Sequence, residues 1–365
     1  VKIVIDARTL RTSTGQYIER LIHYLQKIDN KNDYVILLKP KDFDNWQPSN
    51  PRFQKVICPY KEYTFAEQIG FKKQLESLNP DLVHFAMVQQ PVWYNSSPVV
   101  TTMQDLTTVR FRNPDKNPIV FWTKQQIYKW VNKKVAKKSS HIITISNFVK
   151  NDLIKFTGVN PDKITVTLES ADELPKGNEP VGELTGKKFI MYIGRPTPHK
   201  NLRRLIDAFA LLQKKYPDLT LALAGKKDSN YARHETYVNE HGVKNVVFTG
   251  FISDEQLRWM YENTAVYCFP SLSEGFGLPG LEAMLHGAPV ASSTATCLPE
   301  THGDAAHYFD PFSVEDIAKS IDDILSDDKL RNELVKKGKK HVKTFSWQRM
   351  AEQTLAVYEK YGRKS

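Results

Sequence analysis

Twice along this chain, short β-branched runs alternate with segments patterned for helices, and a stretch without periodicity separates the two series. That layout confines the fold to parallel α/β layers, because each helix carries the chain back to lay a new strand beside its predecessor. In the first series the expected strands are 2–6, 34–38, 81–85, 99–102 and 141–145. Between the first two, Ile18, Leu21, Ile22, Leu25 and Ile28 recur at helical spacing, the stripe of a helix that covers a sheet. The break, 171–188, contains Leu174-Pro175-Lys176-Gly177-Asn178-Glu179-Pro180, which is turn chemistry throughout. The pattern then restarts with strands at 189–193, 219–224, 246–249, 266–269 and 289–292. Here Leu202, Leu205, Ile206, Phe209 and Leu212 form a second helical stripe, and Ser253 with Gln256 reads as a capping box.

At 365 residues the chain exceeds what one hydrophobic core usually serves. We therefore expect a first domain over 1–172, a linker over 173–187 and a second domain over 188–345. Each domain reads as an open doubly wound sheet. Such sheets bind ligands beyond the carboxyl ends of their strands, so two facing sheets predict an interdomain cleft.

Charge and cysteine content narrow the chemistry. Fifty-one Lys and Arg against 41 Asp and Glu leave a net charge of +10, which suits an anionic ligand or surface. The basic residues are dispersed, with no zinc-finger spacing, basic zipper or RNP-type aromatic run, which argues against nucleic acid. Three scattered cysteines exclude a disulfide framework and a cysteine-rich metal site, and read as buried thiols. No apolar run reaches membrane-spanning length, and the opening Val1-Lys2-Ile3-Val4-Ile5-Asp6 is too soon interrupted by charge for a signal peptide, so a cytoplasmic location is expected.

Two loops carry chemistry. After the fourth strand of the second series comes Pro270-Ser271-Leu272-Ser273-Glu274-Gly275-Phe276-Gly277-Leu278-Pro279-Gly280-Leu281-Glu282. Pro279 suits a first helical turn, Gly275 and Gly277 permit close backbone approach, and free N–H groups at a helix start hold phosphate. Glu274 and Glu282 are placed to touch different parts of one ligand, and a carboxylate accepts the paired hydroxyls of a sugar or ribose. The plain alternative is a tight turn with two surface glutamates. After the first strand of that series comes Gly194-Arg195-Pro196-Thr197-Pro198-His199-Lys200-Asn201. Arg195 offers a planar fork and Lys200 a point charge, a pair able to neutralise a diphosphate without metal. Alone, this loop reads better as a solvated basic turn capped by Asn201.

Together, in this order, the two loops resemble those of the retaining glycosyltransferases of family four, whose GT-B fold is two facing Rossmann-like domains with a cleft between them. The resemblance extends to Asp6-Ala7-Arg8 and Gly15-Gln16-Tyr17 as an acceptor-side loop, to Ile142–Ser146, to Leu298-Pro299-Glu300 and Gly303–Ala306, and to a final helix from Ser346-Trp347 over 346–365 that crosses back to the first domain. It implies that Arg195 and Lys200 grip the donor diphosphate, that Glu282 holds the ribose and Glu274 the donor sugar, and that Gly15, Gly194, Gly275, Phe276, Gly277 and Leu278 line the donor. Gln104 and Asp105 stand where relatives have His-Asp, and Gln104 keeps a sugar contact while losing any proton-transfer role. Relatives' Gly-x-Gly-Arg-Tyr is here Ser13-Thr14-Gly15-Gln16-Tyr17.

The implied reaction is retaining transfer of a hexose, mannose-like, from a nucleotide sugar to a saccharide or lipid-linked saccharide in surface-polysaccharide assembly, with the departing phosphate helping to deprotonate the acceptor. No Asp-x-Asp metal motif lies in a suitable loop, so neither metal nor other cofactor is expected. The rivals are a nucleotide-sugar 2-epimerase of the same fold, which isomerises donor alone, and a non-catalytic sugar-nucleotide or glycan-binding protein, which turns nothing over. Finally, 119–138 sets Phe121, Trp122, Tyr128 and Trp130 among Lys124, Lys129, Lys133, Lys134, Lys137 and Lys138. We expect its apolar residues to pack on the first sheet, with the lysines available for peripheral contact with an anionic membrane.

Overall fold

The computed structural model of the chain describes residues 1–10, 15–111, 118–177 and 179–363. Two compact units result: Val1–Val109, Ile119–Glu169 and Ser346–Ser365 belong to the first, and the second is built on Ser170–Phe345.

The first unit is a seven-stranded sheet in the order β3-β2-β1-β4-β5-β6-β7, parallel throughout. Its strands are β1 (Lys2–Asp6), β2 (Asp33–Leu38), β3 (Phe53–Ile57), β4 (Leu82–Phe85), β5 (Val99–Thr102), β6 (His141–Thr144) and β7 (Ile164–Val166). The helix Gly15–Ile28 buries Ile18, Leu21, Ile22 and Leu25 of the stripe read from spacing, leaves Ile28 partly exposed, and packs against the final helix Trp347–Tyr361. That final helix is also tied into the sheet by polar atoms. Tyr358 hydroxyl bonds His84 Nδ1, His84 Nε2 bonds Thr102 Oγ1 at 2.8 Å, and Thr102 Oγ1 bonds the Tyr17 hydroxyl at 2.9 Å. Burial pushes the His84 pKa down to about 3, so the ring serves this chain as a neutral imidazole.

Burial also pushes the Glu169 carboxyl, 7% exposed, up to about 8 from 4.5. With the folded-state value above the unfolded one, its contribution to stability is fully present below pH 4.5 and is lost as pH rises to about 8. The parent should therefore lose stability relative to Glu169→Gln across that window, read as urea midpoints at pH 5 and 8; parallel midpoints would show that Glu169 ionises freely in the fold.

The second unit is a six-stranded parallel sheet in the order β10-β9-β8-β11-β12-β13. Its strands are β8 (Phe189–Ile193), β9 (Thr220–Ala224), β10 (Val246–Gly250), β11 (Val266–Phe269), β12 (Val290–Ser293) and β13 (Ala306–Phe309). Leu202, Leu205, Ile206, Phe209 and Leu212 are all buried on the helix Leu202–Leu212, and the Ser253/Gln256 capping box is formed. Residues of the aperiodic stretch are fastened to this unit. Leu174 N donates to His286 Nε2 at 3.1 Å, Leu174 O accepts from Arg258 Nη1 at 2.7 Å, and Leu184 is buried. Asn178 lies outside the described residues.

One expectation is corrected. The helix Pro118–Lys138 turns Val131, Asn132, Val135 and Ala136 inward, which leaves Trp122 62%, Ile127 56% and Trp130 49% exposed rather than packed on the sheet. Lys138, unlike the exposed Lys124, Lys133, Lys134 and Lys137, is partly buried. It donates to Pro91 O at 2.6 Å, and burial, with Lys134 nearby, pushes its pKa down to about 7. All three cysteines are buried thiols, and among the described residues no helix is long and apolar enough to cross a membrane.

Candidate functional site

In the second unit the two predicted loops meet at the carboxyl ends of β8 and β11. β8 runs into Gly194 at φ +140°, where a Cβ would lie 2.9 Å from the Tyr192 hydroxyl; at Gly225, after β9, a Cβ would lie 2.6 Å from Gly194 O. Only glycine lets these strand ends approach so closely. Beyond Arg195, the turn Pro198–Lys200 ends at Asn201 in the left-handed region (φ +60°). Asn201 does not cap the next helix with its side chain, contrary to the reading from sequence. Its amide instead donates to Pro270 O (3.0 Å) and Pro311 O (2.8 Å), and Leu272 N donates to His199 O (2.7 Å). These bonds staple the loop after β8 to the loop after β11.

The staple brings Lys200 and Glu274 together, Nζ to Oε1 at 2.6 Å, with side chains 20% and 13% exposed. An ammonium has three donors and a carboxylate about four acceptor positions, so each keeps capacity for a ligand while holding the other. Glu274 is fixed from behind: its N–H donates to Thr296 Oγ1 (3.1 Å) and its carbonyl accepts from Cys297 Sγ (3.3 Å). Neighbouring His199 is pushed down to about 4, chiefly by burial and then by Lys200, so it is neutral at pH 7.

Gly277, at φ +94°, opens the helix Leu278–Leu285 with Pro279 in its first turn. A Cβ at Gly277 would fall 2.6 Å from a Leu298 methyl, and one at Gly280 2.3 Å from His302 Nε2. His302 bridges Ser292 Oγ and Gly277 O at 3.1 Å each, and burial pushes its pKa down to about 4. The helix start is thus set by close packing against His302 and Leu298. Gly275 is buried and Leu278 partly exposed in this loop, whereas the Phe276 ring is buried edge-on against Phe345 at 5.7 Å, leaving its backbone as the part able to meet a donor. Glu282, about one turn into the helix and partly exposed, stands beside the buried Tyr261; burial first, and then the Glu282 charge, raise that tyrosine's pKa.

Arg195 is 72% exposed, and its Nε donates to Asp228 Oδ2 at 3.1 Å. Asp228 also caps the helix Ser229–Glu240 by accepting from Asn230 N and Tyr231 N. Burial opposes its ionisation, but these bonds and Arg195 outweigh it and hold the carboxyl below its usual range. Sequence reasoning missed Asp228, whose only signal was its place before a helix, and Thr296. It also missed the floor of the site, where the hydroxyls of Tyr192, Tyr267 and Ser271 are buried without a hydrogen-bond partner among the described residues. Among those residues no three His, Cys, Asp or Glu cluster as metal ligands would.

Gln104, Asp105 and Gly15 belong to the first unit. Gln104 lines a cavity of about 460 Å³ at the carboxyl ends of its strands, together with Thr9, Lys39, Glu62, Gln89, Thr102 and Asn132. The strand order reverses between β1 and β4, the place where open α/β sheets bind ligands. Asp105 also lines the cavity, yet its Oδ1 accepts from Thr107 N at 2.8 Å, the work of a turn cap. Gly15 starts its helix so close to the preceding chain that a Cβ would lie 2.3 Å from the carbonyl oxygens of Thr9 and Leu10; Ser13 and Thr14 lie outside the described residues. Arg8, expected in an acceptor-side loop, is 1% exposed. It grips Asp6 through two bonds (2.9 and 2.8 Å), Glu67 (2.9 Å), Tyr60 O (3.0 Å) and Gln89 O (3.2 Å), and so holds the cavity's walls rather than its contents.

A family model described as "Glycosyl transferases group 1" matches residues 177–341, and one described as "Glycosyltransferase Family 4" matches 14–168. The chain is 33% identical over 232 residues to O-antigen chain mannosyltransferase B of Escherichia coli, covering 60% of each protein. It is 30% identical over 273 residues to the MMP alpha-(1->4)-mannosyltransferase of Mycolicibacterium hassiacum, covering 72% of this chain and 65% of that protein. The matches thus span less than two thirds of either relative. Among solved structures, sucrose-phosphate synthase from Thermosynechococcus elongatus superposes with a TM-score of 0.79 at 19% identity over 98% of both chains. Anabaena HepE in complex with UDP and glucose gives 0.73 at 16% identity over 98% of this chain and 99% of that one.

Proposed function

Since the chain belongs to the family 4 glycosyltransferases and has their GT-B fold, we propose that it transfers a hexose from a nucleoside-diphosphate sugar bound by the second unit to a saccharide or lipid-linked saccharide bound by the first. The observation that carries this reading is the Lys200–Glu274 pair at 2.6 Å, a cation and a carboxylate set side by side at two strand ends beside a helix N-terminus. Glu282 takes the ribose hydroxyls, Lys200 and Arg195 take the diphosphate, and Glu274 takes the hydroxyls of the sugar. Charge on the diphosphate grows as the glycosidic bond breaks, and fixed cations already in place stabilise it without reorganisation. Gln104 hydrogen-bonds a sugar hydroxyl from its cavity, and retention of configuration follows if the departing phosphate takes the acceptor's proton on the same face. The relatives' names favour a mannose-like sugar, while HepE was solved with UDP and glucose, so the base is to be found by testing UDP, GDP, ADP and dTDP sugars.

The lipid-linked form of the acceptor is supported by the exposed aromatic residues of the first unit. Trp93 and Trp130 stand 6.0 Å apart near Lys133 and Lys134, an arrangement suited to peripheral contact with the anionic inner face of a membrane.

No divalent ion enters this scheme. Initial rates of transfer should therefore persist in excess EDTA, whereas Arg195→Lys should lower them, because it keeps the charge but loses the planar fork. Loss of parental activity in EDTA, restored by magnesium, would show that the leaving diphosphate is stabilised by a metal.

A further inference from the structure

The first-unit cavity does not end at Gln104. A second depression of about 370 Å³, lined by Lys39, Pro40 and Lys41 after β2 and by Tyr60, Lys61 and Glu62 after β3, shares Lys39, Lys61 and Glu62 with it. One surface therefore runs from the ends of β4 and β5, where Gln104 and Asn132 stand, to the ends of β2 and β3. Both volumes fall in the range of roughly 300–1,000 Å³ usual for small-molecule sites.

The two ends differ in chemistry. The Gln104 end presents Gln89, Thr102, Gln104 and Asn132, groups suited to hydroxyls, with Asp105 as its one acid, engaged by Thr107 N; Asn132 is fully buried, its Oδ1 without a hydrogen-bond partner among the described residues. The other end carries three ammonium groups against one carboxylate. Lys39 and Glu62 engage each other at 2.7 Å, and although burial opposes ionisation of Glu62, the Lys39 bond outweighs it and holds the carboxyl below its usual range. Lys41 and Lys61 are exposed. With Glu62 already taken by Lys39, the balance of this end is cationic. The floor is held rigid by Arg8, which binds the carbonyl of Tyr60 directly.

We propose that this groove binds the phosphate or diphosphate group of the acceptor, so that the acceptor is an anionic saccharide whose sugar lies by Gln104 and whose phosphate lies against Lys41 and Lys61. The proposal rests on the glycosyltransferase reading, and it selects one class from the acceptors that reading allows. The phosphate has two chemical sources, a lipid diphosphate or a phosphorylated sugar.

Calorimetric titrations separate these cases, run with the second-unit site saturated by whichever of UDP, GDP, ADP and dTDP binds. The probes are farnesyl diphosphate, mannose 1-phosphate and uncharged octyl α-mannoside. Both phosphate compounds should bind the parent more tightly than octyl mannoside, and the tighter of the two identifies the source. Lys41→Ala/Lys61→Ala should weaken both by about tenfold or more, the scale of a lost charge-assisted contact. Lys41→Arg/Lys61→Arg should retain binding, and affinity for the nucleoside diphosphate should be the same in all three proteins. Octyl mannoside binding as tightly as mannose 1-phosphate, or the alanine pair binding both phosphates like the parent, would overturn the proposal. Absence of any nucleoside diphosphate binding would instead count against the transferase reading, because that site lies in the other unit.

Discussion

Glu274→Ala should lower the rate of hexose transfer by on the order of 10²–10³-fold while leaving affinity for the free nucleoside diphosphate almost unchanged. The carboxylate is assigned to the sugar, so its loss removes interactions that matter when the glycosidic bond breaks and none that hold the nucleotide. Lys200 keeps its cation in this variant and loses only the partner at 2.6 Å, which leaves it fully available to the diphosphate. Calorimetry with the nucleoside diphosphate and initial rates with the full donor separate the two effects. Equal losses in binding and turnover would contradict the division of roles between Lys200 and Glu274.

The largest effect on stability is expected at Arg8. Its guanidinium is buried against Asp6 and Glu67, whose side chains are 1% and 2% exposed, and it lies 4.3 Å over the Phe71 ring. Burial works against the charge, but Asp6 first and then Glu67 outweigh it and raise the guanidinium's pKa. Arg8→Ala leaves two buried carboxylates without their cation and frees the carbonyls of Tyr60 and Gln89, a defect of about 3–5 kcal/mol. Urea unfolding should show the first unit melting at markedly lower denaturant. Arg8→Lys should recover only part of the loss, since one ammonium cannot span four partners. An unchanged midpoint for Arg8→Ala would mean that the triad stores no net stability.

The strands missed in the sequence share one property. β3, β7 and β13 are all sheet edges, and their half-exposed FQKVI, ITV and AHYF lack the apolar runs by which the central strands β4, β5, β6, β8, β9, β11 and β12 declare themselves. A strand with one neighbour needs less apolar surface, so periodicity carries less of its signal. The site divides in the same way. Lys200, Glu274, Gly277 and Pro279 were legible because turn chemistry and charge lie in short local motifs. Their mutual geometry was not, because it depends on Asn201 reaching Pro270 and Pro311, contacts separated by 69 and 110 positions. Arg8 is a related case: Asp6-Ala7-Arg8 resembles an acceptor-side loop, and the local sequence does not show that Glu67 and the Tyr60 and Gln89 carbonyls close around the guanidinium. Trp122 and Trp130 turn outward because the helix presents Val131, Asn132, Val135 and Ala136 to the unit's interior, a choice of face that residue type alone does not specify.

The central claim is that Lys200 belongs to a nucleoside-diphosphate site in the second unit, and the most direct test is calorimetric titration of the parent and of Lys200→Ala with UDP, GDP, ADP and dTDP. At least one of the four should bind the parent, and Lys200→Ala should weaken that ligand by about 1.5–3 kcal/mol, the scale of a lost charge-assisted contact. Binding of none of the four to the parent, or equal affinity in the two proteins, would contradict the account.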